Sequence, residues 1–370
     1  MTQKTFGQIG EGRDNNFDFL RFFLASLVIF SHSFAVLYND TWQGYDPLLH
    51  LTRGQVAFGG GAVDGFFLIS GFLITKSWER SKGAGDFARK RIFRILPALV
   101  AVLLVTTFVF GPLATTLPLN EYLGSALTYK YLAFMGTRNL HLTDRLPGVF
   151  VRNPLAYRVN GSLWTIRCEA LCYVLVAVLG LLRCYRLPAL VLTASVAAVG
   201  VTIVQGNHVN TGNNLEGPFH VLIYFLWGMT FYLYRDKICH SPLLAVSALA
   251  GLVVSDLIGI LPYTLPLLGG YALFYAAFSA RLKLHKFARY GDFSYGIYLY
   301  AFPVQQLLVA HFQSVWNAET LALATFVIAG LCAVLSWHVV EKPWLKRKSV
   351  AARVPAPADL AEEMRLSAHS

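Results

Sequence analysis

Apolar runs about as long as a membrane-spanning helix alternate along the chain with short polar connections. Ten stand out, at 17–37, 60–76, 94–115, 163–182, 187–205, 218–234, 243–260, 263–280, 293–311 and 319–340. Several approach the roughly 20 apolar residues that an α-helix needs to cross a bilayer. The pattern predicts an all-α fold, a polytopic transmembrane helical bundle of about ten spans. A further run at 124–136, SALTYKYLAFMGT, is apolar but short. It fits an eleventh span, a re-entrant segment or an interfacial helix.

Basic residues orient the spans. They crowd five connections: KSWERSKGAGDFARKRIFR, RCYR, YRDK, RLKLHKFARYGD and KPWLKRK. The positive-inside rule places all five in the cytoplasm. Ten crossings satisfy this with both termini cytoplasmic. A full crossing at 124–136 would invert everything after it, so that segment is expected to stay at, or dip into, the outer side. Arginines in the outer connection 116–162 run against the trend. The front segment MTQKTFGQIGEGRDNN is weakly basic and no small-x-small cleavage pattern ends the first run. That run is therefore read as a mature helix. Residues 1–348 read as one integral membrane domain and 349–370 as a disordered cytoplasmic tail.

Composition agrees with this. The chain has 370 residues, 55% of them hydrophobic and 14% charged, against about 25% charged in soluble domains. The net charge of +11 sits between apolar runs, where topology explains it and nucleic acid is not implied. The five cysteines (Cys168, Cys172, Cys184, Cys239 and Cys332) form no CxxC pair. They read as small buried hydrophobes, with no metal site.

Ionisable residues inside the spans change the picture. Arg21 and His32 are eleven residues apart, nearly three turns, so they share a helix face about 16 Å from end to end. Such groups normally face a bundle interior or a wet cavity. A structural reading also fits, with Arg21 snorkelling to headgroups and His32 meeting a carbonyl. Asp64 in GAVDGFFLISGFLI and Glu169 in GSLWTIRCEALCY are expected near the outer ends of their spans, at the depth of His32. A histidine and a carboxylate suit a general base and its orienting partner; which carboxylate approaches is left open. FARKRIFRILP carries Arg89, Arg91 and Arg94, which enforce topology, grip a polyanion, or both. Tyr295, Tyr298 and Tyr300 fit an interface belt, and Trp344 an interface anchor. On these residues alone, enzyme and transporter both stand.

The ordered set FDFLRFFLASLVIFSH, GAVDGFFLISGFLI, RKRIFRILPAL, GSLWTIRCEALCY, GDFSYGIYLYAFPV and VVEKPW resembles the membrane-bound acyltransferase-3 family of bacterial polysaccharide O-acyltransferases. Their hallmark is an arginine, ten residues and a histidine in the first span. The resemblance implies transfer of an acetyl or other short acyl group from cytoplasmic acyl-CoA to a hydroxyl of a surface polysaccharide or lipid-linked glycan. It implies a place in the bacterial inner membrane. His32 would be the general base, with Glu169 or Asp64 orienting its ring. Arg89, Arg91 and Arg94, with Arg21, would meet the phosphates of acetyl-CoA, a donor substrate and not a resident cofactor. Ala170 stands where the family often has a second glutamate, and Tyr300-Ala301 where Trp-His is common. Some relatives carry an appended extracytoplasmic domain, so this chain is expected to act alone or with a separate extracytoplasmic partner. The alternative is a transporter or flippase of a glycan or small anion. It would favour inverted repeats with broken helices, and none is evident.

Overall fold

The computed structural model describes residues 4–10, 15–39, 45–133, 145–204, 217–282 and 284–345. The tail expected at 349–370 lies outside the described residues. Among the described residues there are only isolated bridges and no named strand. Ten long helices take up the ten predicted runs: α1 (Phe17–Tyr38), α2 (Phe58–Glu79), α3 (Ala84–Ala114), α4 (Trp164–Leu181), α5 (Pro188–Val204), α6 (Pro218–Leu233), α7 (Pro242–Leu257), α8 (Leu261–Phe278), α9 (Ser294–Phe312) and α10 (Ala318–Leu345). Five of them, α1 to α4 and α10, are long and apolar enough to cross a membrane.

One segment differs from the sequence reading. Helix α3 begins at Ala84 and not at 94, because the basic stretch is itself helical. Asp86 in its first turn pairs with Lys90 at 2.6 Å and Arg89 at 3.4 Å, and a carboxylate there complements the helix dipole. At 124–136 the described part holds the seven-residue helix Ala126–Leu132. That is about 10 Å of helix, too short to cross a bilayer. Residues 134–136 lie outside the described set.

Helix α2 sits at the centre. It runs antiparallel to α1, in a register set by ring contact of Phe30 with Phe58, Leu24 seated against Gly65, and ring contact of Phe17 with Phe72. It runs parallel to α6. Asp64 faces His220 at one end, Gly71 faces Gly228 in the middle, and Glu79 accepts from the Tyr232 hydroxyl at 2.5 Å at the other end. A Cβ on Gly71 would lie 2.1 Å from the Phe225 carbonyl oxygen, and one on Gly228 2.2 Å from that of Leu68. Only glycine permits this backbone approach.

Helix α9 runs parallel to α1. Gln305 Nε2 donates to the Ile29 carbonyl at 2.8 Å and to Ser33 Oγ at 2.7 Å. Its neighbour Gln306 donates to the carbonyls of Leu155 and Arg158 and accepts from Asn153. Pro303 has no N–H, so the Leu299 carbonyl loses its helical donor. Asn160 Nδ2 supplies one at 2.9 Å. Segment 145–163 is thereby pinned over the His32 end of α1 and α9.

The outward faces are aliphatic. Leu96, Val100, Leu104 and Phe108 form an exposed stripe at four-residue spacing on α3, and Leu323, Val327, Leu331 and Leu335 form another on α10. Such stripes suit lipid, where backbone groups are satisfied within each helix. Tyr298 and Tyr300 are buried in the bundle and form no interface belt, because α9 is enclosed by its neighbours. Trp344 is exposed and its ring meets Phe93.

Candidate active site

A cavity of about 130 Å³ opens between α1, α2, α3, α4 and α9. Helical spacing decides which side chains reach it. On α4, Thr165, Ile166, Glu169 and Tyr173 share one face; on α3, Arg91, Arg94 and Ile95 do so; Arg21 comes from the start of α1 and Ser70 from α2. The first turns of α9 add Ser294, Tyr295 and Tyr298.

Arg94 forms an ion pair with Asp292, and Arg21 Nη1 lies 3.8 Å from the same carboxylate oxygen. Arg21 also pairs with Asp18 at 3.1 Å. Asp292 Oδ1 accepts from Ser294 Oγ at 2.5 Å and from the Ser294 N–H at 3.3 Å, fixing it at the mouth of α9. Burial would raise its pKa, but Arg94, Arg21 and the Ser294 hydroxyl outweigh burial and hold the carboxyl well below the usual carboxylate range. Glu341, carried inward on the π-helical turn Trp337–Glu341, accepts from Ser336 Oγ at 3.3 Å and lies within electrostatic reach of Arg94.

Arg91 donates to Ser77 Oγ at 3.1 Å and stands over the rings of Tyr173 and Phe87. Glu169 Oε1 accepts from the Tyr173 hydroxyl at 2.5 Å and from Ser70 Oγ at 3.3 Å. Three guanidiniums, one carboxylate and a set of hydroxyls therefore share one concave space. Arg89, expected with them, is not brought there. It lies on another face of α3, exposed and paired with Asp86, because residues two and five positions apart on a helix point in different directions.

His32 is buried at the opposite end of α1, its ring edge-on to Phe302 at 5.1 Å. Arg158 of the pinned segment 145–163 lies within electrostatic range of it. The equal depth expected for His32, Asp64 and Glu169 is not what the helix register gives. With Gly65 against Leu24, Asp64 sits beside Ala25, seven residues or about 10 Å down α1 from His32. Ser70, which holds Glu169, is six residues or about 9 Å further along α2. The described hydrogen bonds of both carboxylates lead elsewhere: Asp64 Oδ1 lies 2.6 Å from His220 Nε2, and Glu169 faces Tyr173 and Ser70. Glu169 therefore belongs with Arg21, not with His32.

Two carboxylates were missed by sequence reasoning. Asp292 sits in a short loop whose charge is decided by what α1 and α3 bring to it. Asp46 is buried beside the His32 end, accepting from Ser31 Oγ at 2.6 Å and from the N–H groups of Leu48, Leu49 and Phe58. The Asp-Pro step at 46–47 is a helix-start signal that could have found it. Among the described residues no cluster of His, Cys, Asp or Glu could hold a metal ion.

Comparison with known proteins places the whole chain in a family. Residues 14–340 match the family described as an acyltransferase domain. An O-acetyl transferase of Shigella phage Sf6 is 30% identical over 353 residues, covering 91% of this chain and 98% of that protein. Nodulation protein 10 of Rhizobium leguminosarum bv. viciae is also 30% identical, covering 92% of this chain and 96% of that protein. No solved structure matches. A match over nearly the whole chain, on a bundle of apolar helices, makes this a multi-pass membrane protein that belongs to the acyltransferase-3 family.

Proposed function

We propose that the chain transfers an acetyl or other short acyl group from cytoplasmic acyl-CoA to a hydroxyl of a surface polysaccharide or lipid-linked glycan. The observation that carries this is the convergence of Arg21, Arg91 and Arg94 on one cavity whose α1 wall leads, along a single helix, to buried His32. Guanidiniums match phosphate oxygens in geometry and keep their charge at any working pH. The name of the phage relative, an O-acetyl transferase, supports acetyl as the group and oxygen as its acceptor.

In this reading the ten long helices are ten spans, both termini are cytoplasmic, and the chain lies in a bacterial inner membrane. The Arg21 end meets the donor in the cytoplasm. The pantetheine arm lies along α1, past Ser70 and Tyr298, and presents the thioester toward His32. The acceptor hydroxyl arrives from the outer side. Neutral imidazole takes the hydroxyl proton as its oxygen attacks the thioester carbonyl. The C–O bond forms, the C–S bond breaks, and the thiolate leaves and regains a proton. Asp64 and Glu169 act at a distance from this step: Asp64 holds α6 through His220, and Glu169 fixes Tyr173 and Ser70 in the cavity wall. A separate extracytoplasmic protein completes delivery where the acceptor is a polymer.

The test is complementation. A deletion strain carrying wild-type protein or His32→Ala is scored for ester-linked acyl groups on surface glycans by mass spectrometry. Wild type restores them and His32→Ala does not. Full restoration by His32→Ala would rule out the general-base role. Restored glycan export without any acyl ester would favour a transporter.

A further inference from the structure

Asp292 occupies the point where two of the three cavity arginines, Arg21 and Arg94, meet from different helices. Arg94 from α3 and Arg21 from α1 both direct a guanidinium nitrogen at its Oδ2. Its other oxygen is held by the hydroxyl and the N–H of Ser294. Arg21, Arg94 and Ser294 all line the cavity. The carboxylate thus sits as an anion in an anion site, anchored from behind by the first residue of α9. A phosphate oxygen entering between Arg21 and Arg94 would meet the same nitrogens that Asp292 now engages.

We propose that Asp292 is an internal competitor for the donor's phosphates, an affinity-setting residue that keeps the arginine pair engaged until donor displaces it. Resting on the acyl-CoA reading, this deepens it by naming the residue that sets how tightly the donor is held. The sign follows from Coulomb's law: a fixed carboxylate beside an anion site repels a bound phosphate. It also screens the two guanidiniums from each other when the site has no donor. Donor loading then exchanges one anion for another at Arg94, and product release reverses it. Tight donor binding is of no benefit once the donor concentration exceeds KM, and a bound product that leaves slowly limits turnover.

The test uses full-length protein in lipid nanodiscs, with CoA and inorganic pyrophosphate as probes in a binding titration, followed by donor kinetics. Asp292→Asn keeps the shape and the acceptor for Ser294 while removing the charge. It is expected to bind CoA about fivefold more tightly than wild type, with a lower donor KM and an unchanged or lower kcat. Asp292→Glu retains the charge and is expected to stay weaker than Asp292→Asn. A merely structural role predicts the opposite sign, weaker binding in Asp292→Asn. Unchanged or weaker CoA binding in folded Asp292→Asn, with wild type binding CoA, overturns the inference and leaves the donor reading standing. Failure of wild type and both variants to bind CoA overturns the two together. Binding of pyrophosphate without CoA would retain the anion site and reject acyl-CoA as its ligand. Should Asp292→Asn not fold, Ser294→Ala carries the test. Ser294→Ala frees the carboxylate from its anchor and is expected to tighten CoA binding to a smaller degree. Unchanged or weaker binding in Ser294→Ala overturns the inference.

Discussion

Asp64 and His220 meet 2.6 Å apart between two parallel helices, α2 and α6, with both side chains buried. The pair lies one residue from Val63, which lines the cavity, yet it points away from that cavity toward α6. Removing one partner takes a strong hydrogen bond from a buried polar group, at a cost of about 1.5–3 kcal/mol. Asp64→Ala and His220→Ala are therefore each expected to lower the melting temperature of detergent-extracted protein by several degrees. The double variant should be no worse than either single one. Additive losses in a double-mutant cycle would show that the two residues do not act as a unit.

Gly71 and Gly228 give a second, independent test of the same helix pair. A Cβ on either enters the partner's backbone, and neither carbonyl can move without bending its helix. Gly71→Leu is expected to abolish accumulation of folded protein, measured by size-exclusion of a fluorescent fusion. Gly71→Ala should cost at least about 1–3 kcal/mol. Gly85, where an added Cβ meets nothing within 4 Å, should tolerate alanine and serves as the control.

The basic stretch of α3 separates into two kinds of residue. Arg94 lines the cavity and pairs with Asp292, whereas Arg89 is exposed and pairs with Asp86. Arg94→Ala is expected to raise the donor KM about tenfold or more, a loss of about 1.4 kcal/mol. Arg89→Ala should stay within about twofold of wild type, because an exposed ion pair contributes little. Equal effects of the two substitutions on donor KM would contradict the assignment of the cavity.

Much of this architecture was legible in the sequence. Apolar length located all ten long helices, because a chain in lipid must bury its backbone polarity within each segment. Helical periodicity put Arg21 and His32 on one face of α1. What periodicity could not supply was register between helices. The distance of Glu169 from the end of its own span predicts only a depth like that of His32. Its depth is instead fixed by Ser70 across the cavity. Tyr298 fits an interface belt by sequence, and its burial follows from the enclosure of α9, a tertiary fact. Asp64 stood out as a carboxylate in an apolar run, but its partner His220 lies 156 residues away, and nothing local points to it. Pro303 leaves the Leu299 carbonyl without its helical donor; that Asn160 fills the vacated bond is visible only once segment 145–163 is placed.

The same segment carries a prediction of its own. Asn160→Ala leaves the Leu299 carbonyl buried without a donor, at a cost of about 1–3 kcal/mol. It also loosens the cover over His32. Hydrogen exchange in 145–163 is expected to quicken in this variant while exchange in α6 stays as in wild type. Unchanged protection of 145–163 would show that this bond does not hold the segment.

The most direct measurement follows the acyl group itself. Membrane vesicles that contain the native glycans and the wild-type protein are supplied with acetyl-CoA labelled on the acetyl carbons, and glycan-bound ester is quantified by mass spectrometry. The labelled ester should accumulate with wild type and fall at least about a hundredfold with His32→Ala, while the folded amount of the two proteins stays equal. Absence of labelled ester with wild type, or equal labelling by His32→Ala, would contradict acyl transfer from acyl-CoA through His32.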